Sequence, residues 1–403
     1  SLMGSEMCIR DSKLTAMNFR SMIGTVQKSE QNAEKNECRI YVKERETIMK
    51  KSMKIMSAAM SGIMVLSLAA CGGSDAGTIA AKDTTEAASE AKDSTDTQAA
   101  QEEKADGEAY TVGICQLVQH DALDAATEGF KDAITEALGA DAVTFDEQNA
   151  QGDSNTCSTI INSFVSNDVD LILANATAAL QAAQAGTSDI PVLGTSVTEY
   201  GVALGIDDFT GTVGSNISGT SDLAPLDEQA AMLHELFPDA KNVGLLYCSA
   251  EANSQYQVDT VKAELEKLGY TCEYYAFSDS NDLSSVATTA TDASDVIYVP
   301  TDNTVASNTE IINNICLPAK VPVITGEEGI CSGCGVATLS ISYYDLGVTT
   351  GKMAVKILKD GEDISTMPIE YAPNFTKKYN ADICAELGIE VPDDYVAIGA
   401  DAE

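Results

Sequence analysis

From Thr111 onward, short apolar runs alternate with stretches whose apolar residues recur every three or four positions. Thr111–Leu117 (TVGICQL) reads as a buried strand. The segment Leu123–Leu138 that follows puts Leu123, Ala126, Phe130, Ile134 and Leu138 on one helical face. The alternation continues with strand Ala142–Phe145, helix Ser154–Val165, strand Leu171–Leu173, helix Ala178–Ala185 and strand Pro191–Leu193. After a Gly-rich connection, Gly211–Gly219, the pattern restarts with helix Asp227–Leu236, strand Val243–Tyr247, helix Gln255–Leu268 and strand Thr271–Ala276. A helix from Leu283, strand Asp295–Val299, helix Asn308–Cys316, strands Val321–Ile324 and Val336–Ile341, and helix Asp345–Leu358 complete it. Strands and helices alternating at this pace predict βαβ units and parallel sheets. The expected architecture is α/β, two doubly wound units in tandem.

Upstream the pattern is different. Lys50, Lys51 and Lys54 lead into the apolar run Ile55–Leu68, which is followed by Ala69, Ala70 and Cys71. A basic start, an apolar run and small residues before a cut are the parts of a secretory signal. The run is shorter than the ~20 residues of a membrane span. Leu68-Ala69-Ala70-Cys71 resembles the bacterial lipobox, which implies that Cys71 is lipidated and becomes the first mature residue. On this reading 49–70 is the signal peptide, 1–48 lies outside the fold as an extension, and 71–109 is a tether. The stretch from Gly72 to Glu108 has Ile79 as its one large apolar residue, so it cannot bury enough surface to offset ordering entropy. It is expected to hold a folded body away from the bilayer.

A net charge of −38 makes nucleic acid an improbable partner, since phosphate binding needs a basic surface. Of eleven cysteines, Cys331-Ser332-Gly333-Cys334 alone has ligand-like spacing, and without a second pair it is weak evidence for zinc. It falls in a Gly-rich connection, where a structural disulfide or free thiols are the expectation, and no cofactor is expected. The only histidines are His120 and His234, and there is no GxSxG elbow, Walker lysine or GxGxxG after the first strand. An enzyme is not expected. A DNA-binding regulator would lack a secretion signal, whereas a lipid-anchored ligand sensor stays open as an alternative to a solute receptor.

Ligands of open α/β sheets sit beyond the carboxyl ends of the strands, beside helix N-termini. The polar turns there supply the candidate site: His120, Asp121, Thr177, Ser196, Glu251, Asn253, Ser254, Asp302, Asn303 and Glu328. Ser254, read as preceding helix Gln255–Leu268, and Thr177, before helix Ala178–Ala185, could each cap a helix or help hold a carboxylate. Asp302 is the natural partner for an ammonium group, with Asn303 beside it, and Glu251 and Glu328 are weaker candidates. His120 could stack on or hydrogen-bond a ligand side chain.

Several of these turns resemble a known family. Asn149-Ala150-Gln151-Gly152-Asp153, Ile190-Pro191-Val192, Ser221-Asp222, Glu251-Ala252-Asn253-Ser254, Pro300–Val305, Tyr343–Gly347 and Met353–Leu358 look like the tryptophan/tyrosine-binding group of ABC-transporter substrate-binding proteins. The resemblance covers Tyr110 to about Val391. It implies two Rossmann-like lobes joined by a three-strand hinge, the type I periplasmic-binding-protein layout. Lobe 1 would be 110–217 plus 343–366, and lobe 2 would be 218–342 plus 367–403. It also implies a small-molecule ligand, an amino acid with aromatic ones favoured, delivery to an ABC permease and its ATPase, and a lipid-anchored place on the outer face of the cell membrane. Asp121 departs from the pattern, since relatives usually carry proline after the histidine.

Overall fold

The computed structural model describes residues 109–372 and 374–399. The expected signal, Cys71 and the tether lie outside the described residues.

In chain order the first half runs β1 (Tyr110–Gln116), α1 (Asp121–Leu138), β2 (Val143–Asn149), α2 (Ser154–Ser166), β3 (Leu171–Asn175), α3 (Thr177–Gly186), β4 (Val192–Val197), α4 (Tyr200–Leu204) and β5 (Ile217–Ser221). The second half runs α5 (Leu226–Leu236), β6 (Asn242–Cys248), α6 (Ala252–Lys267), β7 (Thr271–Phe277), α7 (Ser280–Ala293), β8 (Val296–Val299), α8 (Asn303–Ala306), α9 (Thr309–Ala319), β9 (Val323–Thr325), α10 (Glu328–Cys334) and β10 (Ala337–Ser340). The chain then closes with α11 (Tyr343–Leu358), β11 (Glu370–Tyr371), β12 (Thr376–Tyr379), α12 (Ala381–Leu387) and β13 (Val396–Ala397).

Two sheets result. The first has the order β11-β5-β4-β3-β1-β2 and is parallel throughout. The second, β13-β12-β10-β9-β8-β6-β7, is parallel except where β10 meets β12. Each is covered on both faces, so its central strands are apolar without alternation. Leu171 and Leu173 of β3 pack with Phe130, Ile134, Met353 and Ile357 from α1 and α11. Ile172 and Ala174 point the other way, into Ile161 and Phe164 of α2 and Leu180 of α3. The second sheet repeats the plan: Val243 and Leu245 meet Leu233, Val258 and Val261, and Leu246 and Ile297 meet Leu283 and Ile312.

The α/β expectation of two lobes holds, but the division falls later than expected. β5 and β11 hydrogen-bond into the first sheet, so lobe 1 continues to Ser221 and resumes through Tyr371, past Ile217 and Thr366. The Gly-rich connection hid β5. Within the described residues the chain passes between the sheets three times, after β5, after β10 and after β11.

Helices α1 and α11 approach closely enough for backbone contact. A methyl group at Gly347 would overlap the Ala126 carbonyl, one at Gly129 would overlap that of Tyr344, and one at Gly351 would lie 2.6 Å from the Phe130 carbonyl oxygen. This crossing fixes where the first turn of α1 points.

The CxxC pair is not in a loop, as expected, but on α10, with Cys331 and Cys334 both buried. All eight cysteines of the described residues are free thiols. Among the described residues no helix is long and apolar enough to cross a membrane.

Candidate functional site

The first turn of α1 opens the site. Its N-cap, His120, is extended at φ −163° and offers no side-chain cap, so the leading amides of the helix have no side-chain acceptor. Ala122 and Leu123 of this turn line a small cavity of about 10 Å³ between the lobes, roughly the room that a single water needs. His120, Ser196, Thr198 and Tyr343 complete the lobe 1 wall, and Asn253, Thr301, Asp302, Asn303, Ala306 and Glu327 form the lobe 2 wall. Asp222, at the first crossover, joins them.

Ser196 reaches the cavity through a strained backbone. Its φ of 54° is left-handed, and the pairing of β4 with β5 shifts register between Gly194 and Val197. The Ser196 hydroxyl is buried with no hydrogen-bond partner. Asp222 is also buried; its Oδ2 accepts from the Tyr343 hydroxyl at 2.9 Å, while its Oδ1 has no partner. Burial raises its pKa, against the pull of the Tyr343 and Thr198 hydroxyls. Two residues of the cavity wall therefore each carry a buried oxygen without a partner, an arrangement suited to N–H donors of a bound molecule.

Asp302 is engaged differently. One oxygen caps α8 by accepting from Val305 N at 2.9 Å, and the other accepts from Cys248 N at 2.7 Å. Burial and then the Glu251 charge push its pKa up to about 8. Glu251 is likewise used up: it accepts from the Asn303 amide and side chain at 3.0 and 2.7 Å and from the Thr304 amide and hydroxyl, both at 2.8 Å. Because Asn303 Nδ2 faces Glu251, its Oδ1 is left to His120 Nε2, 3.3 Å away in the other lobe. Burial lowers the His120 pKa, so the ring is neutral and donates from Nε2. Glu327 caps α10 through Gly329 N and Ile330 N, and burial raises its pKa to about 7.

Of the ten residues expected at the site, His120, Ser196, Asn253, Asp302 and Asn303 line the cavity. Ser254 does not precede its helix: α6 begins at Ala252, so Ser254 lies inside the first turn, fully buried behind Asn253. Thr177 opens α3 after Ala176, which is held at φ 92°, and is absent from the cavity wall. Glu251 stands behind Asn303. Asp121 and Glu328 face a second, wider groove of about 460 Å³, and Lys378 pairs with Glu328 at 3.0 Å. Thr301 and Glu327 belong to turns the sequence places at the site, and Asp222 and Tyr343 to the family resemblance, but none of them was assigned a ligand contact; Thr198 was not singled out. Asp222 follows a strand concealed by glycines.

A family model for ABC transporter substrate binding proteins matches residues 111–402. The chain is 35% identical over 260 residues to a tyrosine-binding protein of Clostridioides difficile, covering 64% of this chain and 75% of that protein. Among solved structures it is similar to a Streptococcus pneumoniae ABC domain in complex with L-Trp, at 32% identity and a TM-score of 0.67, over 71% of this chain and 99% of that one. A ligand-free, open substrate-binding protein with adhesive properties from Clostridium difficile is 37% identical but superposes less well, with a TM-score of 0.57 over 72% of this chain and 99% of that one. The better match to the liganded structure, despite lower identity, agrees with lobes that touch through His120 and Asn303. By sequence, fold and cleft together, the chain belongs to the ABC transporter substrate-binding proteins, which bind solutes and are not enzymes.

Proposed function

We propose that the cleft captures a free amino acid, aromatic ones preferred, and presents it in the closed form to an ABC permease and its ATPase. The carrying observation is Asp222, a buried carboxylate with one oxygen unpartnered in the cavity. It is the seat for the ligand ammonium, assisted by Ser196. The uncapped first turn of α1 is the seat for the carboxylate, because helix N-termini present free amides and a partial positive charge. Leu123, Ala306 and the Tyr343 ring supply apolar wall for the side chain. The names of the tyrosine-binding and tryptophan-bound relatives support the aromatic preference. Closure by hinge motion brings Asn303 to His120 and seals the cleft.

Calorimetric titration of the purified protein with L-tyrosine, L-tryptophan, L-phenylalanine and their N-acetyl forms tests this reading. The parent amino acids are expected to bind and the acetylated ones are not. Asp222→Asn is expected to weaken binding roughly 10- to 100-fold, the worth of a hydrogen bond to a charged group. Equal affinity of Asp222→Asn and the unaltered protein would remove Asp222 from the site.

We further propose that Cys71 carries the lipid that holds the protein at the outer face of the membrane. Cys71→Ser is expected to move the protein from the membrane fraction to the medium; a variant that still sediments with membranes would refute the anchor.

A further inference from the structure

Three carboxyls, those of Asp222, Asp302 and Glu327, line one cavity, each no more than 5% exposed. No Lys or Arg lines it with them. Among the described residues no cation acts on Asp222 or Asp302. Asp222 faces the Tyr343 and Thr198 hydroxyls and the Tyr200 ring. Asp302 faces Glu251, the amides of Cys248 and Val305, and Ser254. Glu327 faces Glu328, Asp121 on α1 and the Cys331 and Cys334 thiols. Lys378, beside Glu327, pairs with Glu328 at 3.0 Å, and burial lowers the pKa of His120. Burial penalises the charged form of each of these three carboxyls, and no Lys or Arg lines the cavity to offset it, so the ligand-free cleft keeps protons. The unpartnered Asp222 Oδ1 is where a positive charge from outside would meet them.

We propose that the cleft takes up its ammonium-bearing ligand in exchange for a proton held among Asp222, Asp302 and Glu327. The ligand N–H⁺ group donates to Asp222, the carboxyls lose one O–H proton to bulk water, and the net charge of the cleft is unchanged. This inference rests on the amino-acid reading above. The linkage has a definite sign: because the free protein binds more protons than the complex, affinity rises with pH. The pKa values of Glu327 and Asp302, raised to about 7 and about 8, place that rise below pH 8. Uptake is thus favoured in neutral surroundings and reversed by acid, which gives the carrier a release signal independent of its permease.

The test is titration of the whole protein with L-tryptophan, L-tyrosine and L-phenylalanine at pH 6, in buffers of differing ionisation enthalpy. At that pH the ligand amine is already fully protonated, so any proton released comes from the protein. Release approaching one proton per ligand is expected, together with an affinity that climbs up to about tenfold per pH unit from pH 5 to 7. Glu327→Gln is expected to reduce the release while retaining ammonium-dependent binding. Tight binding with no release, or release unchanged in both Glu327→Gln and Asp222→Asn, would overturn the exchange and leave the amino-acid reading standing. N-acetyl ligands that bind as well as their parents would overturn both.

Discussion

Asp302→Ala is expected to destabilise lobe 2 as a whole, not only to empty the cleft. The side chain joins the end of β6 to the start of α8 through the amides of Cys248 and Val305, and it lies at 1% exposure. Alanine would leave both amides buried without acceptors, at ~1–3 kcal/mol each, for a loss of about 3 kcal/mol. Urea unfolding would show a lower midpoint with an unchanged slope. An unchanged midpoint with lost ligand binding would return Asp302 to the direct ammonium contact that its sequence position suggests.

Gly347→Ala is expected to damage stability and binding together. The added methyl would collide with the Ala126 carbonyl, a backbone atom that cannot rotate aside. Overpacking of this kind costs ~1–3 kcal/mol, and relief requires α1 to move away from α11. Such a shift carries Ala122 and Leu123, and with them the proposed carboxylate seat. Thermal unfolding and titration of the same variant should therefore both change. A lower melting temperature with undiminished affinity would show that the seat does not depend on this crossing.

The sheet strands were legible because buried parallel strands are nearly all apolar, and Leu171–Leu173, Val243–Tyr247 and Asp295–Val299 stand out against amphipathic helices. Short elements were not. β5, with the sequence ISGTS, is buried yet mostly small and polar, since its Thr220 hydroxyl bonds to Thr350 at 2.8 Å where an apolar side chain would otherwise pack. The turns of the site were legible in place but not in role. Asp302, Glu251 and Ser254 have the right chemistry for a ligand, and the fold spends that chemistry on its own amides and hydroxyls. Asp222 and Glu327 were undervalued because what distinguishes them is burial, which the surrounding residue types do not encode.

The interleaving of the two lobes bears on how the molecule is made. The lobe 1 face built from Val112, Ile114 and Phe130 receives Met353, Ala354 and Ile357, which are synthesised only after nearly all of lobe 2. Until that late helix arrives, an apolar surface is left uncovered, and β5 lacks its edge neighbour β11. Contacts spanning such long stretches of chain close slowly. Lobe 2 can assemble most of its layers beforehand, so the half that begins first still waits for α11 and β11 when most of the other is built, and β12, α12 and β13 then close lobe 2.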